Sequence, residues 1–113
     1  MRQAWIMRDG QVLAAAEIAQ SLRERGVGLI GRRDFDGAML LVRTRSVHSA
    51  LLRFPIDVAF LDRQMCVVGI TRLAPWRLAL PRRRTRQILE APGGSFERWK
   101  LAVGDRLEIR EVP

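Results

Sequence analysis

The chain has 113 residues, 48% of them hydrophobic, enough for one core and a single domain over 1–113 with no room for a second. One cysteine, Cys66, excludes an internal disulfide; one histidine, His48, excludes a multi-histidine metal site; and no apolar run reaches the roughly eighteen residues of a membrane span. The net charge of +8 comes from 19 arginines and one lysine against 12 carboxylates, so polyanions, acidic lipids and acidic proteins are attracted at low salt.

So complete a preference for arginine over lysine leaves genomic codon bias as a second source of the charge. The stretch Met1–Gly10 is too short and too charged for the core of a signal peptide, and the expected location is the cytoplasm.

Ala4–Arg8 and Gln11–Ala14 flank Asp9-Gly10, the dipeptide of a type I′ turn, and predict a hairpin. Over Glu17–Arg25 the apolar Ile18, Ala19 and Leu22 recur at three- and four-residue intervals before Gly26, which predicts one short helix with a glycine C-cap. Gly26, Gly28 and Gly31 then crowd one short stretch. Bare amides there could cradle a phosphate, but no lysine-serine or lysine-threonine pair closes the loop, and a tight turn is the better account.

Met39–Arg45 passes from solid apolar to alternating, with Met39, Leu41, Arg43 and Arg45 on one face of a strand that leaves the core. Pro55 starts the next strand, Ile56–Leu61, with Ile56, Val58 and Phe60 on one side and Asp57, Ala59 and Leu61 on the other. Asp62-Arg63-Gln64 forms a turn into a strand over Cys66–Ile70, where Cys66 reads as a small buried residue. From Thr71 to Arg86 two prolines, Trp76 and six arginines show no steady period, and a long basic loop is predicted. Arg86–Glu90 and Arg106–Arg110 are the last two strands, the first stopped at Pro92-Gly93-Gly94 and the second alternating with one face in water. Six to seven short strands and one short helix make a mainly β protein, a small β-sandwich or barrel.

Four pieces recur in order: Gly28-Leu29-Ile30-Gly31-Arg32; Val47-His48-Ser49 leading into the Arg53–Asp62 run; Ile88-Leu89-Glu90-Ala91-Pro92-Gly93-Gly94; and Gly104-Asp105-Arg106-Leu107. Together, over about residues 15 to 110, they make the chain resemble the DUF192 family, with Phe54-Pro55-Ile56-Asp57 as the most specific element. The resemblance implies a compact jelly-roll-like β domain without an established biochemical activity. Two departures stand out: Leu51-Leu52 replaces a frequent glycine-methionine pair, and Gln64 replaces the usual turn glycine.

Asp57 is the leading candidate site residue, because an ionised carboxylate among apolar neighbours costs several kcal/mol unless a cation and hydrogen bonds compensate it. Arg53, Arg43 or Arg45 could supply that cation. The plainer reading is an aspartate that binds backbone amides or an arginine and fixes a loop. The amides of Gly94, and His48 with Arg53, complete a candidate ligand pocket around Asp57 at one end of the sandwich.

Arg72, Arg77, Arg82, Arg83, Arg84 and Arg86 form a candidate polyanion surface, with Trp76 and Trp99 as stacking platforms. No RNA-recognition or helix-turn-helix signature accompanies them, and a solvated arginine-rich loop is the bland alternative. Trp5, Phe54, Phe60 and Phe96 read as core or rim aromatics. No metal or cofactor is expected. The leading expectation is a non-catalytic module that binds a small anion or an acidic protein. The alternatives are RNA association through 72–86 and, last, a hydrolase-like enzyme, disfavoured because Asp57 and Asp62 should face opposite sides of a strand.

Overall fold

The computed structural model describes residues 2–20, 37–48 and 54–113, with the backbone alone for 47 and 48. Strand β1 (Arg2–Arg8) turns at Asp9 and Gly10, whose φ of 51° and 79° are those of a type I′ turn, into β2 (Gln11–Ala19). The predicted hairpin is therefore present, but β2 runs five residues past the expected Ala14, pairing as far as Arg2↔Ile18.

This extension corrects the predicted helix over Glu17–Arg25: Glu17, Ile18 and Ala19 are strand, and Ser21–Arg25 lie outside the described residues. The segment Ala14-Ala15-Ala16-Glu17-Ile18 satisfies both periods, since alanine is neutral to either. Parallel pairing of Ala16–Ala19 with Ala38–Leu41 of β3 (Ala38–Val42) decides for the strand. The glycine-rich stretch from Gly26 to Gly31 also lies outside the described residues.

Strand β3 stops sooner than its pattern suggests. Arg43 takes a left-handed φ of 52° and donates through Nη2 to the Gln20 carbonyl at 3.3 Å, so the face shared by Arg43 and Arg45 does not form. After β4 (Val47–His48), β5 (Ile56–Leu61) matches the expected limits and is buried throughout its length. Asp62 Oδ1 accepts the Gln64 and Cys66 amides, both at 2.9 Å, which makes the expected turn. Cys66 is half-buried rather than buried.

The predicted basic loop needs two corrections. Thr71, Arg72 and Leu73 complete β6 (Val67–Leu73), and Leu78–Ala79 forms β7, paired with β4. The arginines hid an alternation in which Leu73 and Ala79 turn inward. Strand β8 (Gln87–Pro92) leads into α1 (Ser95–Trp99), a single turn too short to leave a period in the sequence, and β9 (Glu108–Glu111) follows.

Seven strands form one sheet in the order β6-β5-β8-β3-β2-β1-β9, antiparallel except for β2–β3. Its two ends meet. Cys66 bridges Arg106, the Val67 amide donates to the Asp105 carbonyl at 2.8 Å, and the Leu107 amide donates to the Met65 carbonyl at 2.9 Å. This seam closes the sheet into a barrel, as closure is the way such sheets lose their edges. Inside it pack Ile6, Ile18, Leu40, Leu61, Leu89 and Leu107, capped by Phe96 and Leu101. A second core lies on the outer face of β3, β8, β5 and β6, where Met39, Leu41, Val58, Phe60 and Ile88 meet Leu73 and Ala79.

Candidate functional site

Alternation along β5 turns Asp57 to the inner face with Ala59 and Leu61, at the end of the barrel under α1. It is 3% exposed and its carboxylate is engaged on both oxygens. Oδ1 accepts Arg72 Nε at 2.8 Å, and Oδ2 accepts the Gly94 and Phe96 amides, each at 3.0 Å. Among the described residues the cation is thus Arg72 rather than Arg43 or Arg45. Antiparallel register sets Arg72 directly opposite Asp57, whereas β8 stands between β5 and the strand that ends before Arg43. Arg53 lies outside the described residues.

Asp57 and its two amides hold the chain reversal that starts α1. Gly94, with φ of 95°, adopts a conformation glycine reaches freely, and a Cβ on Gly93 would lie 3.2 Å from the Pro55 carbonyl oxygen. The Gly94 amide does bind an anion, and that anion is the protein's own carboxylate. Arg72 reaches on to Glu97 Oε1 at 3.2 Å, and its pKa is raised by the hydrogen bond and the charge of Asp57, so its guanidinium is a fixed cation.

A groove of about 400 Å³ runs beside this pair, lined by Ile70, Arg72, Phe96, Glu97 and Lys100. The backbone of His48 pairs with Leu78 in the small sheet over the outer face, while Asp57 faces the barrel interior; the side chain of His48 lies outside the described part of the structure. The second carboxylate of the hydrolase alternative, Asp62, serves its own turn beyond the far end of β5.

The arginines of the basic segment have separate duties. Arg72 belongs to the Asp57 pair. Arg82 lies with its guanidinium carbon 4.8 Å from the Phe60 ring centroid, over Gly69, where an added Cβ would stand 2.9 Å from the Arg82 side chain. Arg86 donates to the neighbouring Thr85 carbonyl at 3.2 Å. Arg77, Arg83 and Arg84 are exposed, and neither Arg83 nor Arg84 has an ion-pair partner among the described residues. Beside them stand Trp76, Leu78 and Leu80, at 62%, 61% and 70% exposure. Trp99 is partly buried, packed against the inner core with its ring centroid 5.4 Å from that of Phe96. Of the aromatics expected in core or rim, Phe60 and Phe96 are buried and Phe54 is partly buried, while Trp5 is exposed.

One buried carboxyl was overlooked as a site residue. Glu90 on β8 points to the outer core with Ile88, flanked in register by Met39 and Val58. It is 3% exposed, its Oε1 has no hydrogen-bond partner, and burial pushes its pKa up to about 8. The available signal was the one that singled out Asp57, a carboxylate inside an apolar run. Among the described residues no cluster of three histidine, cysteine, aspartate or glutamate side chains could hold a metal, and no helix is long and apolar enough to cross a membrane.

The model of the DUF192 family, described as "Uncharacterized ACR", matches residues 4–109. A UPF0127 protein of Pyrococcus horikoshii is 35% identical over 96 residues, covering 80% of this chain and 84% of that one. A UPF0127 protein of Pyrococcus furiosus is 46% identical over 63 residues, but the match spans only 56% of this chain and 54% of that one. UPF0127 proteins are members of the same family. Two crystal structures share the fold: a protein of unknown function from Novosphingobium aromaticivorans, with TM-score 0.78 and 21% identity over 94% of this chain and 83% of that one, and a protein from Sinorhizobium meliloti described as a candidate transcription regulator, with TM-score 0.80 and 22% identity over 96% and 92%.

Proposed function

Since the chain belongs to the DUF192 family, whose description assigns no activity, we propose from its own surface that it is a non-catalytic module that binds an anionic partner through residues 76–86. The observation that carries this is the joint exposure of Trp76, Leu78 and Leu80 with Arg77, Arg82, Arg83, Arg84 and Arg86 on one short segment. Exposed arginine alone is ordinary. Arginine around a protruding apolar ridge, on a chain of net charge +8, suits a partner that is both acidic and partly apolar. Asp57 supports the non-catalytic side of this reading, because its oxygens are taken up by Arg72 and by the amides that start α1.

Retention on immobilised heparin tests it. The double change Arg83→Ala/Arg84→Ala should lower the eluting salt concentration more than Arg63→Ala/Arg110→Ala, which removes the same charge elsewhere. Equal shifts would mean that net charge alone is sensed, and the reading would fall.

A second reading keeps a small-anion site and moves it from His48 and Arg53 to the groove beside Asp57, where Arg72 is a pre-oriented guanidinium and Lys100 a second cation. Native mass spectrometry of the purified protein and of the Asp57→Asn variant decides. A co-purified small molecule present on the first and absent from the second supports this site; a fall in stability alone leaves Asp57 as scaffold.

A further inference from the structure

We infer that the anionic partner is the surface of an acidic phospholipid bilayer, an inference that rests on the reading above and narrows it. Strand β7 inverts the usual order of a half-covered strand. Ala79 is the buried residue at 6%, and the larger leucines on either side of it, Leu78 and Leu80, point out at 61% and 70%. Two residues earlier Trp76, in a left-handed conformation with φ of 64°, is also turned out. These three make an exposed apolar ridge.

The ridge is held firmly. Val47↔Ala79 and His48↔Leu78 pairing fixes its middle, the Arg86 amide donates to the Leu61 carbonyl at 2.8 Å, and Arg82 lies against Phe60. Arginines therefore flank the ridge on a fixed backbone, Arg77 before it and Arg82, Arg83 and Arg84 after it, with the Arg82 guanidinium held on Phe60. Tryptophan and leucine seated at the boundary of headgroups and acyl chains, with arginine at the level of the phosphates, is the arrangement by which peripheral proteins engage anionic bilayers. A hollow of about 330 Å³ between Phe60, Leu78, Leu80 and Arg82 adds room for one lipid headgroup beside a guanidinium.

Single-stranded nucleic acid fits less well. It is held by aromatic side chains on which successive bases stack, and the segment 76–86 contains Trp76 as its one aromatic residue. Leucine gives a base no comparable platform.

The full chain should co-sediment with vesicles of phosphatidylglycerol and phosphatidylcholine near physiological salt, and not with vesicles of phosphatidylcholine alone. Arg83→Glu/Arg84→Glu and, separately, Leu78→Ser/Leu80→Ser should each lower the partition coefficient by roughly tenfold or more, with the circular dichroism spectrum unchanged. A titration with single-stranded RNA runs in parallel. RNA binding without vesicle binding overturns the bilayer and leaves the anionic-partner reading standing; binding to neither overturns both. Vesicle binding that survives the loss of both leucines also overturns the inference, because the ridge would then contribute nothing.

Discussion

Replacing Glu90 by glutamine removes a charge that the folded protein does not carry at neutral pH. Glu90 is sealed between Met39 and Val58 with one oxygen unpartnered, and burial moves its pKa from 4.5 to about 8. In the unfolded chain the carboxyl ionises above its ordinary value, while in the folded chain it stays protonated until about pH 8. Unfolding therefore releases a proton across this window, and the stability of the native state is whole below about pH 4.5 and falls as pH rises to about 8. At about pH 7 the accumulated cost is 2.303RT times the gap from 4.5, about 3 kcal/mol. That is a large part of the 5–15 kcal/mol, in round terms, that keeps a domain folded. Glutamine keeps the shape and the polar burial but not the titration. Urea unfolding of both proteins at half-unit steps from roughly pH 5 to 8.5 gives the difference in unfolding free energy, which should move in favour of Glu90→Gln by about 1.4 kcal/mol per pH unit and level off near the upper end. A difference that stays flat across that range would show that Glu90 is ionised in the fold, or hydrated, and the account of its burial would be wrong.

Three further outcomes follow from the same contacts. Asp57→Asn should destabilise the protein by about 2 kcal/mol through loss of charge-assisted bonds, and hydrogen exchange at the Gly94 and Phe96 amides should speed up before that of the barrel strands. Gly94→Ala places a side chain at φ of 95°, at a cost of about 1 kcal/mol or more, read as a lowered thermal midpoint with the barrel's circular dichroism intact. Arg8→Ala removes a half-buried clamp that donates to Asp105 Oδ2 at 2.9 Å and to the Trp99 and Lys100 carbonyls at 2.7 and 3.1 Å, and should cost about 1–2 kcal/mol in urea unfolding.

What could be read from residues alone was what local chemistry decides. Asp9-Gly10 dictates its turn, Pro55 opens a strand that six apolar-framed residues then fill, and Asp62 caps the turn that follows. The burial of Asp57 was legible for the same reason. Its partner was not, because register rather than proximity along the chain sets Arg72 opposite it. The alanines of β2 fit two periods, and only pairing with β3 chooses between them. The end of β6 was lost among arginines, whose long stems tolerate a strand as readily as a loop. Glu90 carried the signal of Asp57 but sits two residues before Pro92, where a strand is expected to be leaving the core. The bonds from the Gly93 amide to the Pro55 carbonyl and from the Gly94 amide to Asp57 explain why two pieces of the family-like pattern, far apart in the chain, occur together.

The seam between Met65–Val67 and Asp105–Leu107 has a bearing on how the molecule is made. It is short, and it unites segments some forty positions apart, while the strand beside it, β9, lies against β1 from the opposite end of the chain. Such distant pairings are formed late and slowly. On a ribosome the β1–β2 hairpin emerges early, yet one of its flanks stays bare until the last strand arrives. The charged residues Glu108, Arg110 and Glu111 on that last strand make it a poor template for a stranger's strand during the wait.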